Sequence, residues 1–170
     1  MATPTPAFSR RIGAALGLQP CADIWRDSVL RLLGYANELG EAFRPLAPAC
    51  VVPSYVVSSL YVLVDTCDKG VRADSRAQAG GYSPAARRAH VGKEAADTLV
   101  WQALASVIVP GITINRIVAL AGRACGSNPR LRLLPTALGL GSIPLIVEPI
   151  DTAVHYAMDA TVRPSQTSDD

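Results

Sequence analysis

The apolar run at residues 46–64 decides the fold, and it reads LAPACVVPSYVVSSLYVLV. The run contains no Lys, Arg, Asp, Glu or His, and it is bounded by Arg44 and Asp65. A hydrocarbon core of about 30 Å needs about 20 helical residues to cross it. Lipid offers no water to unpaired backbone groups, so such a run should be a helix. It therefore predicts a transmembrane helix, which Pro53 should kink or restart.

Two further runs share this character. Residues 98–114 and 133–147 also lack charged residues and histidine, and they contain Pro110 and Pro144. A helix break is expected at Pro110, which glycine follows. Charged residues make up 18% of the chain, against about 25% in an average globular domain. The sequence thus predicts an all-α, multi-spanning membrane protein with about three transmembrane helices broken by prolines.

A further helix is predicted before the first run, from Ile24 to Phe43. Its apolar residues recur at spacings of three and four, which is typical of one stripe of an amphipathic helix, and charged residues occupy the other face. We expect the stripe to pack on the other helices or to lie in the membrane interface. The stripe consists of Trp25, Val29, Leu32, Ala36, Leu39 and Phe43.

The chain divides into three parts by composition. Residues 1–22 form a basic N-terminal extension with no acidic residue before Asp23. An arginine-containing, acid-free and amphipathic segment is typical of a mitochondrial transit peptide, and a disordered tail is the alternative. Residues 23–163 are predicted to form a single helical membrane domain, followed by a disordered tail at 164–170.

Several function classes find little support in the residues. The net charge is only +2, and no basic cluster interleaved with aromatic residues indicates nucleic-acid binding. The four cysteines form no CxxC pair and are expected to be free thiols. Asp151, His155 and Asp159 share a helical face, but a solvated, charge-paired face is the favoured interpretation. The sequence therefore predicts no enzyme, no cofactor and no metal.

Candidate contacts for helix packing or for partners are predicted instead. Small residues four positions apart let two helices approach closely, and ordinary packing is the alternative. An ionisable side chain at the end of an apolar run suggests a role at membrane depth, although ordinary interfacial charges show the same pattern. The small-residue pairs are Ala36 with Gly40 and Ala137 with Gly141, and the ionisable candidates are Arg116 and Glu148.

Several motifs follow one another along the chain: LGYANELGEAFR (33–44), DKG (68–70), WQALAS (101–106), TINR (113–116), TALGL (136–140) and PID (149–151). In this order they resemble the mitochondrial fission process protein family, over about residues 27–163. The resemblance implies a multi-pass protein of the mitochondrial inner membrane. It also implies a link to fission, inner-membrane integrity and cell viability, without an established catalytic activity.

Three functional hypotheses remain. The leading one is a non-enzymatic inner-membrane protein that affects fission and membrane organisation through lipids and other membrane proteins. The alternative is an accessory membrane subunit of a respiratory-chain or ATP synthase complex, which the amphipathic helix and the small-residue faces would suit. A third is a small carrier that uses Arg116 and Glu148 near the membrane, but the chain shows no internal repeat.

Overall fold

The computed structural model describes residue 25 and residues 28–126 and 128–163. The expectations for residues 1–22 and 164–170 lie outside the described residues and stay predictions. The described residues form helices joined by short turns, with no strand among them, which confirms the all-α fold class.

The helices and their bounds are as follows in chain order: α1 (Arg31–Gly34), α2 (Ala36–Phe43), α3 (Val51–Ala79), α4 (Pro84–Gln102), α5 (Val109–Cys125) and α6 (Leu134–Thr161). A π-helical segment, Ala103–Ile108, joins α4 to α5. Short 3₁₀ turns at Pro48–Cys50 and Pro129–Leu131 precede α3 and α6.

Three helical stretches are long and apolar enough to cross a membrane. They are Pro48–Ala79, Pro84–Cys125 and Pro129–Thr161, of 32, 42 and 33 residues. Only 28%, 33% and 17% of their most apolar 18-residue windows is buried within the chain. Most of this apolar surface therefore faces outward, where lipid tails solvate it as well as a protein interior would.

The prolines do less to the helices than the sequence predicts. Pro53 lies in the first turn of α3, where its missing N–H costs no helical bond. The break expected at Pro110 is wrong, because the helix continues without interruption from Pro84 to Cys125. The wider π-helical turns of Ala103–Ile108 lie just before Pro110, at the point where that residue cannot donate to the preceding turn.

The long helices are antiparallel to their neighbours, and α2 packs against three of them. α3 pairs with α4, α5 pairs with α6, and α2 contacts α3, α5 and α6. The segment that contains α1 and α2 runs antiparallel to α3. At one end the Trp25 indole N–H donates to Asp68 at 3.1 Å, and at the other end Gly40 contacts Ser54. This arrangement places one face of α2 inside the bundle along its whole length.

The N-terminal helix turns most of its apolar stripe away from the bundle and its polar side toward the interior. It is broken at Tyr35 into α1 and α2, and most of its apolar stripe is on the outside. Four of the six stripe residues do not pack on other helices, although Trp25 is buried. For these four the other alternative, a position in the membrane interface, stays a prediction. In a membrane, a polar side chain is more stable inside the helical bundle than against lipid tails, which explains this orientation. The outward residues are Val29, Leu32, Leu39 and Phe43, which are 65%, 64%, 46% and 40% exposed.

Candidate functional site: a buried polar face on α2

The inner face of α2 carries polar side chains into the bundle. Asn37 and Glu38 have no exposed surface, and Glu41 is 2% exposed. The residues lie three or four positions apart along the helix or directly adjacent, so they form one continuous face. We call this set the polar face of α2. Its two carboxylates, only three residues apart, have very different surroundings.

Glu41 is surrounded by hydrogen-bond donors. The Tyr55 hydroxyl donates to Oε1 at 3.1 Å, and the Asn115 amide donates to Oε2 at 2.8 Å. Arg44 donates through Nε and Nη2 at 2.7 Å each. Burial raises the pKa of Glu41, but the hydrogen bonds from Arg44, Asn115 and Tyr55 outweigh it and hold that pKa below its ordinary value. Glu41 is therefore a buried carboxylate that stays ionised.

Glu38 has the opposite surroundings. Neither of its carboxylate oxygens has a hydrogen-bond partner among the described residues. Burial, with a smaller contribution from the nearby negative charge of Asp151, raises the pKa of Glu38 to about 8. The neutral acid is therefore the main form of Glu38 at neutral pH. This carboxyl can bind and release a proton in the physiological range.

A half-exposed charge cluster adjoins Glu38. Arg31 Nη2 donates to Asp151 Oδ2 at 2.6 Å, and Arg31 Nε donates to the Tyr35 hydroxyl at 2.5 Å. The side chains of Arg31 and Asp151 are 32% and 24% exposed. The cluster thus connects α1 to α6 and reaches from Glu38 toward the surface of the bundle.

Asn37 connects the polar face to the π-helical segment. Its Nδ2 donates to the Val107 carbonyl at 3.0 Å, and its Oδ1 has no partner among the described residues. The neighbouring helix comes close here, since a Cβ at Gly111 would lie 2.6 Å from the Tyr55 hydroxyl. Glycine at position 111 thus allows α5 to approach Asn37 and Tyr55.

A second buried polar group connects α3 to α4. Asp65 has no exposed surface, and Gln102 is 1% exposed. The Gln102 amide donates to Asp65, and the Ser106 hydroxyl donates to Gln102 Oε1 at 2.7 Å. The Lys69 ammonium lies 3.6 Å from Asp65. These contacts join α3 to α4 and to the π-helical segment.

The candidate pair Ala36 and Gly40 lies on α2. Ala36 is half-buried and Gly40 is buried against α3. A Cβ at Gly40 would lie 1.9 Å from Ser54 Oγ and 3.4 Å from the Cα of Val51. The backbones of α2 and α3 approach closely at Gly40 because it has no side chain.

The other candidates lie on the outside of the bundle. Arg116, Ala137, Gly141 and Glu148 are all exposed, and nothing lies within 4 Å of a Cβ built at Gly141. They make no close helix contact within the chain, and their role as partner contacts stays a prediction. The glycine of α6 that does pack is Gly139, where a Cβ would lie 3.2 Å from the Cα of Ala42 on α2.

The three residues on the terminal helix do not form a catalytic group. Asp151 pairs with Arg31, while His155 and Asp159 are exposed and lie beside Arg163. Arg163 also bonds Asp97 at 2.9 Å, which ties the end of α6 to α4. Within the described residues, no three His, Cys, Asp or Glu side chains are placed to hold a metal ion.

Sequence reasoning overlooked the polar face itself. Asn37, Glu38 and Glu41 stand in the motif LGYANELGEAFR, but the predicted amphipathic helix carries Glu38 and Glu41 opposite its apolar stripe, and no prediction falls on Asn37. One signal could have found them: the helix directly precedes a transmembrane run, and in a membrane bundle the polar side of a helix faces inward.

Comparison with known proteins assigns the chain to a family. A family model described as Mitochondrial 18 KDa protein (MTP18) matches residues 24–158. The chain belongs to this family. The residues that the family model matches include the polar face of α2 and the apolar parts of all three long helices. The match confirms the resemblance seen in the sequence motifs. No solved structure matches the chain.

Several relatives of this chain are named Mitochondrial fission process protein 1, and three of them come from different organisms. The Homo sapiens relative is 49% identical over 150 residues, which cover 83% of this chain and 86% of the relative. The Danio rerio relative is 46% identical over 147 residues, covering 83% and 87%. The Caenorhabditis elegans relative is 42% identical over 147 residues, covering 83% and 87%.

Proposed function

We propose that this protein is a multi-pass protein of the mitochondrial inner membrane that acts in mitochondrial fission and inner-membrane organisation. It acts through protein partners and not by catalysis. The observation that carries the proposal is family membership over residues 24–158, together with relatives named for the fission process. Three helices that can cross a membrane support a location in a mitochondrial membrane.

Contact with anionic lipid is supported by the end of the bundle between α5 and α6. Arg123, Arg130 and Arg132 are exposed there, and none of them forms an ion pair with a described residue. The sequence contains no acidic residue between Asp97 and Glu148. Positive loops favour the matrix side and attract lipid phosphates. We infer that this end faces the matrix and contacts lipid headgroups.

Contact with a partner helix is supported by the outer face of α6. Ala137, Gly141, Leu145 and Glu148 recur at spacings of four, four and three, so they share one face of the helix. All four are exposed, and Leu145 is 74% exposed. Small residues on this face would let the backbone of a partner helix approach closely. We assign this face to a membrane-protein partner.

The test of function is a clean deletion followed by rescue with matched variants. Deletion should change the shape of the mitochondrial network, and the wild-type protein should restore it. Gly141→Leu should fail to restore it because the side chain blocks the α6 face, whereas Leu120→Ile on the exposed side of α5 should restore it fully. An unaltered network in the deletion strain would contradict the role in fission.

The accessory-subunit alternative is favoured by the same exposed α6 face, which could dock on a large complex. A native gel of mild-detergent extracts separates the two functions. Co-migration with a respiratory or ATP synthase complex, lost in Gly141→Leu, would establish the alternative. Migration well below those complexes would exclude it.

A further inference from the structure

Glu38 is a buried ionisable group that the proposed function does not use. It has no exposed surface, and both carboxylate oxygens lack a hydrogen-bond partner among the described residues. An isolated buried carboxylate is so costly that such a group takes up a proton instead. A purely structural carboxylate would be expected to have donors, as Glu41 does three residues later.

We propose that Glu38 is a proton-binding site inside the bundle, and that its titration is coupled to the charge of Asp151 in the adjoining cluster. The ligand is the proton itself, and the site goes beyond any role in fission. The deprotonated form would place a second negative charge beside Asp151. Because like charges repel, release of the proton should loosen the contact between α2 and α6.

The polar and titratable groups on α2 and on the elements packed against it are as follows. The turn between α1 and α2 contributes Tyr35, and α2 itself contributes Glu41. α5 contributes the amide of Asn115, while its Arg116 is exposed. The remaining groups are Arg31 from α1, Tyr55, Tyr61 and Asp65 from α3, and Asp151 from α6.

Three of these groups are committed to other partners. Arg31 is bonded to Asp151 and Tyr35, and Tyr55 donates to Glu41. Asp65 accepts from Gln102. Arg31 and Tyr55 thus donate elsewhere, and Glu38 receives no hydrogen bond from a described residue. The surroundings therefore favour the neutral acid.

The electrostatic coupling of Glu38 is to the half-exposed cluster. Asp151 acts on Glu38 electrostatically, and its own side chain is 24% exposed. No hydrogen bond joins Glu38 to a described residue, so Asp151 acts on the proton of Glu38 through its charge. At the opposite end, the charge of Glu41 is compensated by hydrogen bonds from Arg44, Tyr55 and Asn115.

Carbodiimide labelling of the full chain tests the site. Dicyclohexylcarbodiimide enters apolar regions and adds to a protonated carboxyl group. The acid proton moves to a carbodiimide nitrogen, and the carboxylate oxygen bonds the central carbon. The adduct then rearranges to a stable N-acylurea with no leaving group. The protein, reconstituted in phosphatidylcholine vesicles, is labelled across a pH series, and labelled residues are located by mass spectrometry.

We expect label on Glu38 that is at least about tenfold greater near pH 6 than near pH 10. Glu41 should stay unlabelled, which makes it the matched control on the same helix. Asp151→Asn should move the midpoint for Glu38 to lower pH, because it removes a neighbouring negative charge. Glu38 labelled equally at every pH would overturn the proposal, since the proton would not exchange.

Infrared spectroscopy of the same vesicles detects a protonated carboxyl group without a reagent that has to reach it. The carbonyl band of a protonated carboxyl should titrate with pH, should disappear in Glu38→Gln and should persist in Glu41→Gln. If carbodiimide does not label Glu38, the infrared result tests the proposal instead. A carbonyl band that titrates in wild type and is lost in Glu38→Gln supports the site. The same band in wild type and Glu38→Gln, or no such band in either, overturns it.

Discussion

The two ends of the polar face of α2 bury the same chemical group in two different ways. Glu41 and Glu38 are 2% and 0% exposed, and both face the interior. Glu41 receives hydrogen bonds from Arg44, Tyr55 and Asn115, whereas Glu38 receives none from the described residues. Burial alone therefore does not decide the charge of a carboxyl group; the supply of donors does.

The difference also separates two roles. The Glu41 end joins the turn after α2 to α3 and α5 by hydrogen bonds, so it holds the bundle together. The Glu38 end contributes no bond that its loss would break. Burial of an ionisable group without hydrogen bonds destabilises the fold, and such groups are found mainly at functional sites. Glu38 is therefore a candidate functional residue.

The largest expected effect is the loss of the acceptor at Glu41. Glu41→Leu leaves the donors of Tyr55 and Asn115 without a partner inside the bundle. The free energy of unfolding should fall by about 2–4 kcal/mol. Chemical unfolding in detergent micelles, followed by tryptophan fluorescence, measures it. Glu38→Leu is the matched variant and should leave the stability unchanged or raise it. Equal losses in the two variants would remove the distinction between the ends.

The next effect concerns the glycines that position α2. Gly139→Ala pushes a methyl group to 2.7 Å from Val118 and 3.2 Å from the Cα of Ala42, next to Glu41. We expect it to lower stability by about 1–3 kcal/mol. Gly141→Ala, two residues away on the open side of α6, should cost nothing because no atom lies within 4 Å. The same unfolding assay compares them, and a larger loss from Gly141→Ala would contradict the packing.

Glu38 and Glu41 should make the stability of the protein change with pH in opposite directions. The pKa of Glu38 is raised to about 8 in the folded protein, above an ordinary value of about 4.3. Its contribution is complete below that ordinary value and is lost as the pH rises through about 8. Wild type should therefore lose stability relative to Glu38→Gln as the pH rises from about 4 to about 8.

Glu41 should respond to acid instead. Its pKa is held below the ordinary value, so its contribution is present above that value and is lost as the pH falls through the folded pKa. Glu41→Gln should therefore flatten the acid side of the stability profile. Unfolding midpoints measured over a pH series check both directions. A wild-type profile parallel to that of Glu38→Gln between about pH 5 and about pH 8 would contradict the assignment.

The smallest effect is expected at the half-exposed pair of Arg31 and Asp151. Their bond is short, at 2.6 Å, but the side chains are 32% and 24% exposed. Solvent screens such pairs, so Arg31→Met should change stability by no more than about 1 kcal/mol. The unfolding assay used for Glu41 measures it. A loss as large as that of Glu41→Leu would mean that this cluster holds the bundle together.

Much of the fold could be predicted from local patterns. The uncharged runs at 46–64, 98–114 and 133–147 indicate helices by length and composition alone, and all three lie in helical stretches able to span a membrane. Pro110 was misjudged because a proline removes one hydrogen bond without deciding how the helix adapts. Here the preceding turns widen into a π-helical segment and the helix continues.

The polar face could not be predicted in the same way. Periodicity shows that a helix has two faces, but it does not show which face meets the interior, since this depends on whether water or lipid surrounds the bundle. The fate of the carboxylates depends on distant residues as well. The donors of Glu41 include Tyr55 and Asn115, which lie 14 and 74 positions away in the chain. Nothing near Glu38 in the sequence shows that such donors are missing.

Alkaline carbonate extraction of isolated mitochondria tests the central claim most directly, because the reversed faces of α2 and the outward apolar surface both require a lipid surrounding. The protein is followed by blotting in pellet and supernatant, beside a known integral protein and a known peripheral protein. Retention in the pellet with the integral marker is the predicted result. Release into the supernatant would contradict the membrane-spanning account and leave the outward apolar residues of α2 without an explanation.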